Sequence, residues 1–341
     1  MSLKNSNVIK IPRDLLSKLS NNKINNLYKA FKKNFKIKES FAVAVSGGPD
    51  SLALAFFTKV FALKNNLNCK YLLVDHKLRK ESTDEALKVK KVLNNFGIKL
   101  EILTWNGKKP SSNIQSLARE KRYNLLLSKC KSLKISNLIL GHQMDDLFEN
   151  FFIRMTRGSG LKGLVSLENK TNFNEINLIR PLLDFEKKNL EFISKQVFNF
   201  FVEDQSNNND YFQRVKIRKI IYDFKMSGLE KDKLFLTLKN LKSSNKAIIF
   251  YTEQNKKINS YLDKKNHKIF LNKIFFNQPY EVVFRSFSDL LKKIGGRYFS
   301  ARGKKIDNIL QIIAKDALKK ETLAGCIIEK FNQTVIISKE Y

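Results

Sequence analysis

A glycine-rich loop between two apolar segments is the strongest chemical signal in the sequence. Residues 46–51 are Ser-Gly-Gly-Pro-Asp-Ser, preceded by the apolar segment 41–45 and followed by the Ala-rich run 52–57. The first segment predicts a buried strand and the second a helix. Paired glycines permit a sharp turn close to a ligand, and the free N–H groups of a helix start bind anions. The predicted phosphate cradle consists of Ser46, Gly47, Gly48, Pro49, Asp50 and Ser51. A tight turn without a ligand is the alternative.

The loop differs from a Walker A loop, because no Gly-Lys-Ser/Thr follows and Asp50 stands near the lysine position. An acidic side chain beside phosphate needs a cation between them, so Asp50 is expected to bind Mg²⁺. The pattern Ser-Gly-Gly-x-Asp-Ser resembles the pyrophosphate loop of N-type ATP pyrophosphatases. These enzymes cleave ATP between the α and β phosphates and adenylate a substrate, which makes ATP the expected nucleotide.

Polar residues also follow two further predicted strands, at 70–75 and 137–141. Asp75 and His76 end the first of these, and His142 follows the second. Ligands of an open parallel sheet collect at the carboxyl ends of its strands. Asp75 and His76 are therefore expected to contact the nucleotide, with Asp75 suited to a ribose or a metal. A turn-capping role for Asp75 is the alternative.

Three acidic residues follow His142 on a predicted helix that begins near Met144. Asp145 and Glu149 lie one turn apart on one face, with Asp146 beside them. They could bind Mg²⁺, or hold a substrate amine and take its proton. Acidic residues in a first turn are also ordinary partners of the helix dipole.

Basic residues predict contact with a polyanion. Arg119 and Arg122 share a helix face that could clamp phosphate or tRNA backbone, or simply be solvated. Residues 154–164 are expected to form a glycine-rich basic loop that approaches a nucleic-acid backbone. The expected nucleic-acid contacts are Arg122, Arg157, Gly158, Lys162, Arg180, Arg214 and Arg218.

Composition supports a nucleic-acid partner. The 341 residues carry a formal net charge of +32, which attracts polyanions, although Lys-rich composition throughout the chain could account for part of it. The sequence contains no run of 18 apolar residues and begins with a polar segment, so neither a membrane span nor a secretory signal is expected. Three widely spaced cysteines without a Cys-x-x-Cys pair predict a reduced, cytoplasmic protein.

The order of predicted elements indicates an α/β protein with a second, smaller domain. Strands and helices alternate through about residue 205, which predicts a parallel sheet. The expected organisation is a helical leader at 1–40, a catalytic domain at 41–226, and a linker helix with an RNA-binding α+β domain at 227–341. In the last, a strand is expected at 267–273, helices at 279–294 and 301–315, and a hairpin that pairs 322–331 with 334–339.

Taken together, these motifs resemble the tRNA(Ile)-lysidine synthase family, within the N-type ATP pyrophosphatases. The matching segments occur in the family's order over about residues 40–220: 46–51, 74–79, 118–123, 141–149, 157–161, 180–183 and 203–218. Two positions depart from the pattern. Gln143 stands where the family often has a second histidine, and Val215 replaces a common asparagine.

The resemblance implies a two-step reaction on the wobble cytidine of a tRNA(Ile) with a CAU anticodon. The cytidine is first adenylated by ATP, and free lysine then displaces AMP to give lysidine. The loop would hold pyrophosphate, and Asp50 with Asp146 would hold Mg²⁺. Asp145, Asp146 and Glu149 would bind the lysine ammonium, while His142, Arg119 and Arg122 would stabilise the adenylated intermediate. The sequence leaves a homodimer open.

Three other functions share parts of this pattern. A sulfur-transferring tRNA enzyme has the same loop but commonly uses cysteine pairs, which this chain lacks. A glutamine-dependent amidotransferase or an NAD synthetase relative would need neither the basic surface nor the loop at 157–163. A non-catalytic RNA-binding protein would bind tRNA without releasing pyrophosphate.

Overall fold

The computed structural model describes residues 13–78, 81–107, 114–173, 175–203, 213–296 and 301–340. The chain divides into two compact units, residues 1–231 and 232–341. Each unit has its own hydrophobic core, and each is described by itself below. Among the described residues, no helix has both the length and the apolar character needed to cross a membrane.

The first unit combines a six-stranded sheet with helices on both faces. Its strands are β1 (Phe41–Val45), β2 (Cys69–Asp75), β3 (Leu100–Thr104), β4 (Asn137–Ile139), β5 (Lys170–Phe173) and β6 (Ile176–Ile179). Its helices are α1 (Arg13–Ser17), α2 (Asn22–Asn34), α3 (Pro49–Lys64), α4 (Ser82–Asn95), α5 (Ile114–Ser132), α6 (Met144–Met155), α7 (Leu161–Leu164), α8 (Lys187–Phe198) and α9 (Gln213–Met226). A short 3₁₀ turn, Lys18–Ser20, joins α1 to α2.

The sheet has the strand order β3-β2-β1-β4-β6-β5. All neighbouring pairs are parallel except β5 and β6, which form an antiparallel hairpin at one edge. The chain reverses its direction of travel across the sheet between β1 and β4, which creates a switch point there. The predicted parallel α/β fold is confirmed, with an antiparallel edge strand in addition.

Side chains of β1 alternate between two cores, as a strand covered on both faces requires. Val43 and Val45 join the larger core, whereas Ala42 packs with Leu72 and Leu126 on the opposite face. Helix α3 is buried on nearly all sides, which explains its continuous apolar run. The sequence between residues 41 and 64 therefore forms the centre of the unit and fixes the loop that joins β1 to α3.

Helices α1 and α2 pack against this centre. Leu15 and Phe31 are fully buried in the larger core, and the Phe31 ring stacks 5.1 Å from the ring of Phe57 on α3. The expected leader segment thus contributes side chains to the core of the first unit.

The second unit begins within a long helix and contains a five-stranded antiparallel sheet. Its strands, β7 (Ser260–Asp263), β8 (Lys268–Leu271), β9 (Lys320–Leu323), β10 (Cys326–Phe331) and β11 (Thr334–Lys339), have the order β7-β8-β11-β10-β9. Its helices are α10 (Lys231–Ile258), α11 (Lys273–Phe276), α12 (Tyr280–Gly295) and α13 (Gly303–Ala314).

Two sequence predictions were wrong locally. The segment 322–331 is not one strand, because Ala324 and Gly325 both have positive φ and form a turn between β9 and β10. The expected loop at 154–164 is partly helical: α6 extends to Met155, and Leu161–Leu164 forms α7. Gly158, which has a φ of +65°, lies between the two helices.

Candidate active site

The loop after β1 is shaped by its glycines and by one buried hydroxyl. Gly47 has a φ of +87°, and a Cβ there would lie 2.7 Å from Cγ2 of Val89, so only glycine fits. Gly48 is the N-cap of α3, and Pro49 occupies the first turn, where its missing N–H costs nothing. The Ser51 hydroxyl accepts from Ser46 N–H at 3.1 Å and donates to the Gly48 carbonyl at 2.9 Å. Ser51 therefore closes the turn and leaves the helix start to a ligand.

Two contacts from distant segments hold the outside of this loop. The hydroxyl of Ser194, on α8, is fully buried and donates to the Pro49 carbonyl at 2.7 Å. The Val202 N–H donates to the Gly47 carbonyl at 3.0 Å. Sequence reasoning missed both residues, because a serine inside an amphipathic helix and a valine after it carry no motif.

A cavity of about 360 Å³ lies at the carboxyl ends of β1, β2 and β4. Gly141 borders it, and a Cβ on Gly141 would lie 3.4 Å from the backbone of Ser51, so β4 and α3 approach closely here. The predicted residues that line the cavity are Ser46, Gly48, Asp50, Ser51, Asp75, His76, Arg122 and His142. The structure therefore brings together residues from segments about 25 to 95 positions apart in sequence.

Asp75 holds the chain that leaves β2. Its Oδ1 accepts from Ser82 Oγ at 2.8 Å and from Lys77 N–H at 2.9 Å, while its Oδ2 accepts from Thr83 Oγ1 at 2.7 Å. Burial raises the pKa of Asp75, but these hydrogen bonds outweigh burial and leave the pKa below its ordinary value. The geometry matches the turn-capping alternative. A direct contact between Asp75 and the nucleotide stays a prediction.

Two neutral histidines face the cavity. Burial lowers the pKa of His76, and it lowers the pKa of His142 well below its ordinary value, with further lowering by Arg180 and Arg119. The Nδ1 atoms of both rings are buried, with no hydrogen-bond partner in the described part of the chain. A neutral imidazole has one donor and one acceptor, so each ring can bind a ligand without adding charge.

The basic residues predicted near the site occupy different environments. Arg122 is partly buried and lines the cavity, whereas Arg119 is exposed. Both guanidinium groups lie against the ring of Tyr123, with Cζ at 5.3 Å (Arg119) and 5.9 Å (Arg122) from its centroid. Arg122, for which the sequence predicts contact with tRNA and with the adenylated intermediate, therefore lines the cavity. Arg119, predicted to be catalytic, lies at the surface.

Arg180 requires a correction. Its side chain is only 6% exposed, and Nη1 donates at 3.0 Å to both the Glu168 carbonyl and Thr171 Oγ1. A guanidinium buried and bonded in this way supports the fold and the positive potential around His142. Because its side chain is buried, Arg180 is not among the exposed residues that could contact tRNA, contrary to the prediction.

Helix α6 begins with a capping box whose N-cap residue is Gln143, one of the two departures from the family pattern. Gln143 Oε1 accepts from Asp145 N–H at 2.8 Å, and Asp146 Oδ2 accepts from Gln143 N–H at 2.9 Å. Gln143 thus fixes the helix start that carries the acidic residues. The second departure, Val215, is a buried residue of α9. Both substitutions have structural roles.

Glu149 is buried and forms an ion pair. It is 4% exposed, and its Oε1 accepts from Arg218 Nε at 2.5 Å, while its Oε2 lies 3.9 Å from Arg214 Nε. Burial raises the pKa of Glu149 against the opposing effect of Arg218. Glu149 Oε2 has no hydrogen-bond partner among the residues described. Arg218 therefore positions a carboxylate, which is a different role from the predicted tRNA contact.

Asp50 links the cavity to the acidic residues of α6. Burial and, to a smaller extent, the charge of Asp146 raise its pKa to about 7, against the opposing effect of Lys187. Its Oδ1 is buried without a hydrogen-bond partner in the described ranges. Burial also raises the pKa of Asp146. A buried carboxylate whose pKa is raised by a neighbouring carboxylate is stabilised in its charged form when a cation binds beside it.

These features fit Mg²⁺ shared with a substrate. Mg²⁺ commonly takes one or two protein carboxylates and completes its shell with phosphate oxygens and water. Over the described residues, no group of three or more His, Cys, Asp or Glu side chains is arranged to hold a metal by itself. Asp50, whose Oδ1 has no partner among the described residues, suits a Mg²⁺ ion held by one or two carboxylates. Phosphate oxygens would then have to supply further ligands to the ion.

An exposed basic segment follows α6. Arg157 and Gly158 are exposed, and Arg157 Nη2 donates to Gln213 Oε1 at 2.7 Å. Lys162 on α7 and Arg214 on α9 are also exposed. These positions suit contact with phosphates of a large ligand.

A phosphate-binding turn at the switch point of a parallel sheet, with a cavity at the strand ends, defines a PP-loop nucleotide-binding protein. The family model described as "PP-loop domain" matches residues 16–224, and this class of protein uses ATP. Curated relatives identify the particular family. The tRNA(Ile)-lysidine synthase of Orientia tsutsugamushi (strain Boryong) is 34% identical over 323 residues, which cover 92% of this chain and 71% of the relative. The tRNA(Ile)-lysidine synthase of Wolbachia pipientis wMel is 33% identical over 304 residues, which cover 88% of this chain and 70% of the relative. The chain belongs to the tRNA(Ile)-lysidine synthase family, whose members are ligases.

A solved structure supports the fold independently. The U34-tRNA thiolase NcsA from Methanococcus maripaludis with its [4Fe-4S] cluster aligns with a TM-score of 0.55 and 16% identity, over 65% of this chain and 78% of that one. At this identity the similarity concerns the fold. The cysteines of this chain do not resemble a cluster site, since Cys130 and Cys326 are buried and all three lie far apart in sequence.

Proposed function

We propose that this protein joins free lysine to C2 of the wobble cytidine, position 34, in a tRNA(Ile) with a CAU anticodon, using ATP. The product is lysidine, which changes decoding and aminoacylation from methionine to isoleucine. One observation supports the proposal beyond family membership: Asp50, in the phosphate-binding turn, lines the cavity and is within electrostatic range of Asp146 and Asp145 on α6. The phosphate-binding turn suits the adenylation step, and the carboxylates of α6 suit the binding of the lysine amine.

In the first step, the cytidine O2 attacks the α-phosphate of ATP, and pyrophosphate leaves. Backbone N–H groups of residues 46–51 bind the departing pyrophosphate at the start of α3. Arg122 and the neutral His142 line the same cavity and contact the adenylate. Mg²⁺ bound by Asp50 and Asp146 would neutralise phosphate charge.

In the second step, the ε-amine of lysine attacks C2 and displaces AMP. The amine must first lose a proton, because an ammonium has no free electron pair. Asp145, Asp146 and Glu149 hold the ammonium, and one of them accepts this proton. Burial raises the pKa of both Asp146 and Glu149, which makes either carboxylate a stronger base than an exposed one.

The exposed positions Arg157, Gly158, Lys162 and Arg214 bind tRNA phosphates, and Arg119 lies on the same basic surface. The second unit, which the sequence predicts to bind tRNA from about residue 227, holds another part of the tRNA. We place the protein in the cytoplasm, where ATP, lysine and tRNA are all present.

Labelled lysine tests this function directly. Purified protein, Mg²⁺, ATP and labelled lysine are incubated with a CAU-anticodon tRNA(Ile) transcript, and the matching tRNA(Met) is the control. We expect label in tRNA(Ile) alone, together with pyrophosphate and AMP. Pyrophosphate release without lysine incorporation would mean that the loop chemistry is right and the acceptor is wrong.

A variant of Asp50 separates catalysis from binding. Asp50→Ala should abolish pyrophosphate release and leave tRNA affinity largely unchanged, because Asp50 faces the cavity and not the exposed basic segment. Loss of tRNA binding with retained pyrophosphate release would contradict the role given to Asp50.

A further inference from the structure

The chain places one of its own lysines on the acidic helix. Nζ of Lys231 donates to Asp145 Oδ1 at 2.9 Å, and the two side chains are 31% and 30% exposed. Lys231 is the first residue of α10, and Asp145 lies in the first turn of α6. The group on Asp145 is thus a primary ammonium on a four-carbon chain, which is the same group that free lysine carries.

Asp145 is the carboxylate of α6 that an incoming ammonium can reach most readily. Asp146 accepts a hydrogen bond from the backbone of Gln143, and Glu149 is buried against Arg218. Asp145 is partly exposed, and its carboxylate is paired with the ammonium of Lys231. An ammonium that approaches α6 from solvent therefore meets a position already occupied by a lysine side chain.

We propose that Lys231 is an internal competitor of the substrate: its ε-ammonium occupies Asp145 until the ε-ammonium of free lysine replaces it. The inference rests on the proposed function. The local charge favours replacement of Lys231 over the binding of both ammonium groups to Asp145, because Lys225 also lies within electrostatic range of Asp145 and Lys231. A third ammonium beside one carboxylate would be repelled unless Lys231 moves away. Lys231 thereby sets the lysine concentration that the second step requires.

The structure limits the size of this effect. A partly exposed ion pair favours its closed form over its open form by a factor of about 1.4 to 5. Competition divides the apparent affinity for free lysine by the sum of one and this factor, which lowers the affinity about 2- to 6-fold. The first step should not change, because neither Lys231 nor Asp145 lines the cavity.

The test compares Lys231→Met with Lys233→Met, which removes an exposed lysine from the same helix. Lysidine formation is measured against lysine concentration, and pyrophosphate release is measured without lysine. We expect Lys231→Met to lower the KM for lysine about 2- to 6-fold, with kcat and pyrophosphate release unchanged. Lys233→Met should leave all three unchanged, and Lys231→Arg, which retains the ion pair, should not lower the KM.

An unchanged or raised KM for Lys231→Met, beside normal lysidine formation by the wild type, would overturn the competitor role alone. Wild-type protein that releases pyrophosphate but never incorporates lysine would overturn the proposed function, and the competitor role with it. A second measurement covers the case in which Lys231→Met does not fold. In wild-type protein, adding lysine should raise the labelling of Lys231 by an amine reagent relative to Lys233, and a constant ratio would refute displacement.

Discussion

Replacing Asp50 by asparagine should stabilise the metal-free protein while it abolishes adenylation. Asp50 is buried at the start of α3, and its Oδ1 has no hydrogen-bond partner in the described residues. Burial, with the nearby charge of Asp146, raises its pKa from 3.8 to about 7. Asparagine has nearly the same shape and no charge to bury, so it removes this penalty.

The pKa gives both the magnitude and the pH dependence. The difference between 3.8 and about 7 corresponds to about 4 kcal/mol of unfolding free energy. The folded protein keeps the Asp50 proton to a higher pH than the unfolded chain does. The unfolding free energy of the wild type therefore falls by this amount as pH rises from about 4 to 7. Above pH 7 the loss is complete. Asparagine also gives up about 0.3–1 kcal/mol of favourable helix-dipole interaction at every pH where Asp50 is charged. The net advantage of Asp50→Asn at pH 8 is therefore about 3 kcal/mol.

Urea unfolding in EDTA measures this difference, with Trp105 fluorescence as the signal. Trp105 is the single tryptophan of the chain and lies in the first unit, so it reports the unfolding of that unit. The advantage of Asp50→Asn should be about 2 kcal/mol larger at pH 8 than at pH 5. Asp84→Asn is the matched control, because Asp84 lies in the first turn of α4 but is exposed. That substitution should destabilise slightly at both pH values. Equal stability of Asp50→Asn and wild type at pH 8 would refute the reasoning.

Three further changes test the loop, the helix start and the metal. Gly47→Ala should destabilise the first unit by about 1–3 kcal/mol and reduce pyrophosphate release at least about tenfold, because φ is positive and the new Cβ meets Val89. Gly158→Ala, with a positive φ but open space around it, should retain pyrophosphate release. Gln143→Ala removes the cap of α6 and should cost about 0.5–2 kcal/mol in urea unfolding; no change would show that the cap is dispensable. Chelation of Mg²⁺ should stop pyrophosphate release while filter-binding affinity for tRNA stays within about twofold, and retained release would contradict the metal role of Asp50.

Much of the first unit follows from local sequence, because its core elements have unambiguous patterns. The strand 41–45 and helix 49–64 are apolar and lie in the centre of the fold, and the loop between them needs glycine for a steric reason visible in the structure. Strand ends of a parallel sheet meet at one edge, so the convergence of residues 46, 75 and 142 on one cavity was predictable from their positions alone.

Side-chain partners were not predictable in the same way. The sequence cannot show that Arg180 is buried against Glu168, or that Arg218 reaches Glu149, because both contacts depend on how separate elements pack. The turn at Ala324–Gly325 was missed because the run from Leu323 to Ile328 contains no polar side chain and resembles the middle of one buried strand. Ser194 carries no pattern at all, although it bonds directly to the loop.

The charges of the site match the order of the two steps. Arg122 and the arginines around His142 make one side of the cavity positive, which suits the triphosphate and the adenylate that occupy it first. The carboxylates of α6 suit an ammonium, which the reaction needs only after pyrophosphate has left. Until then Lys231 occupies Asp145, and neither residue lines the cavity that holds the triphosphate. The first step therefore proceeds without regard to Lys231, and the competition acts on lysine alone. Because the Lys231–Asp145 ion pair is partly exposed, salt screens it, so the difference in the KM for lysine between Lys231→Met and the wild type should shrink as salt is added.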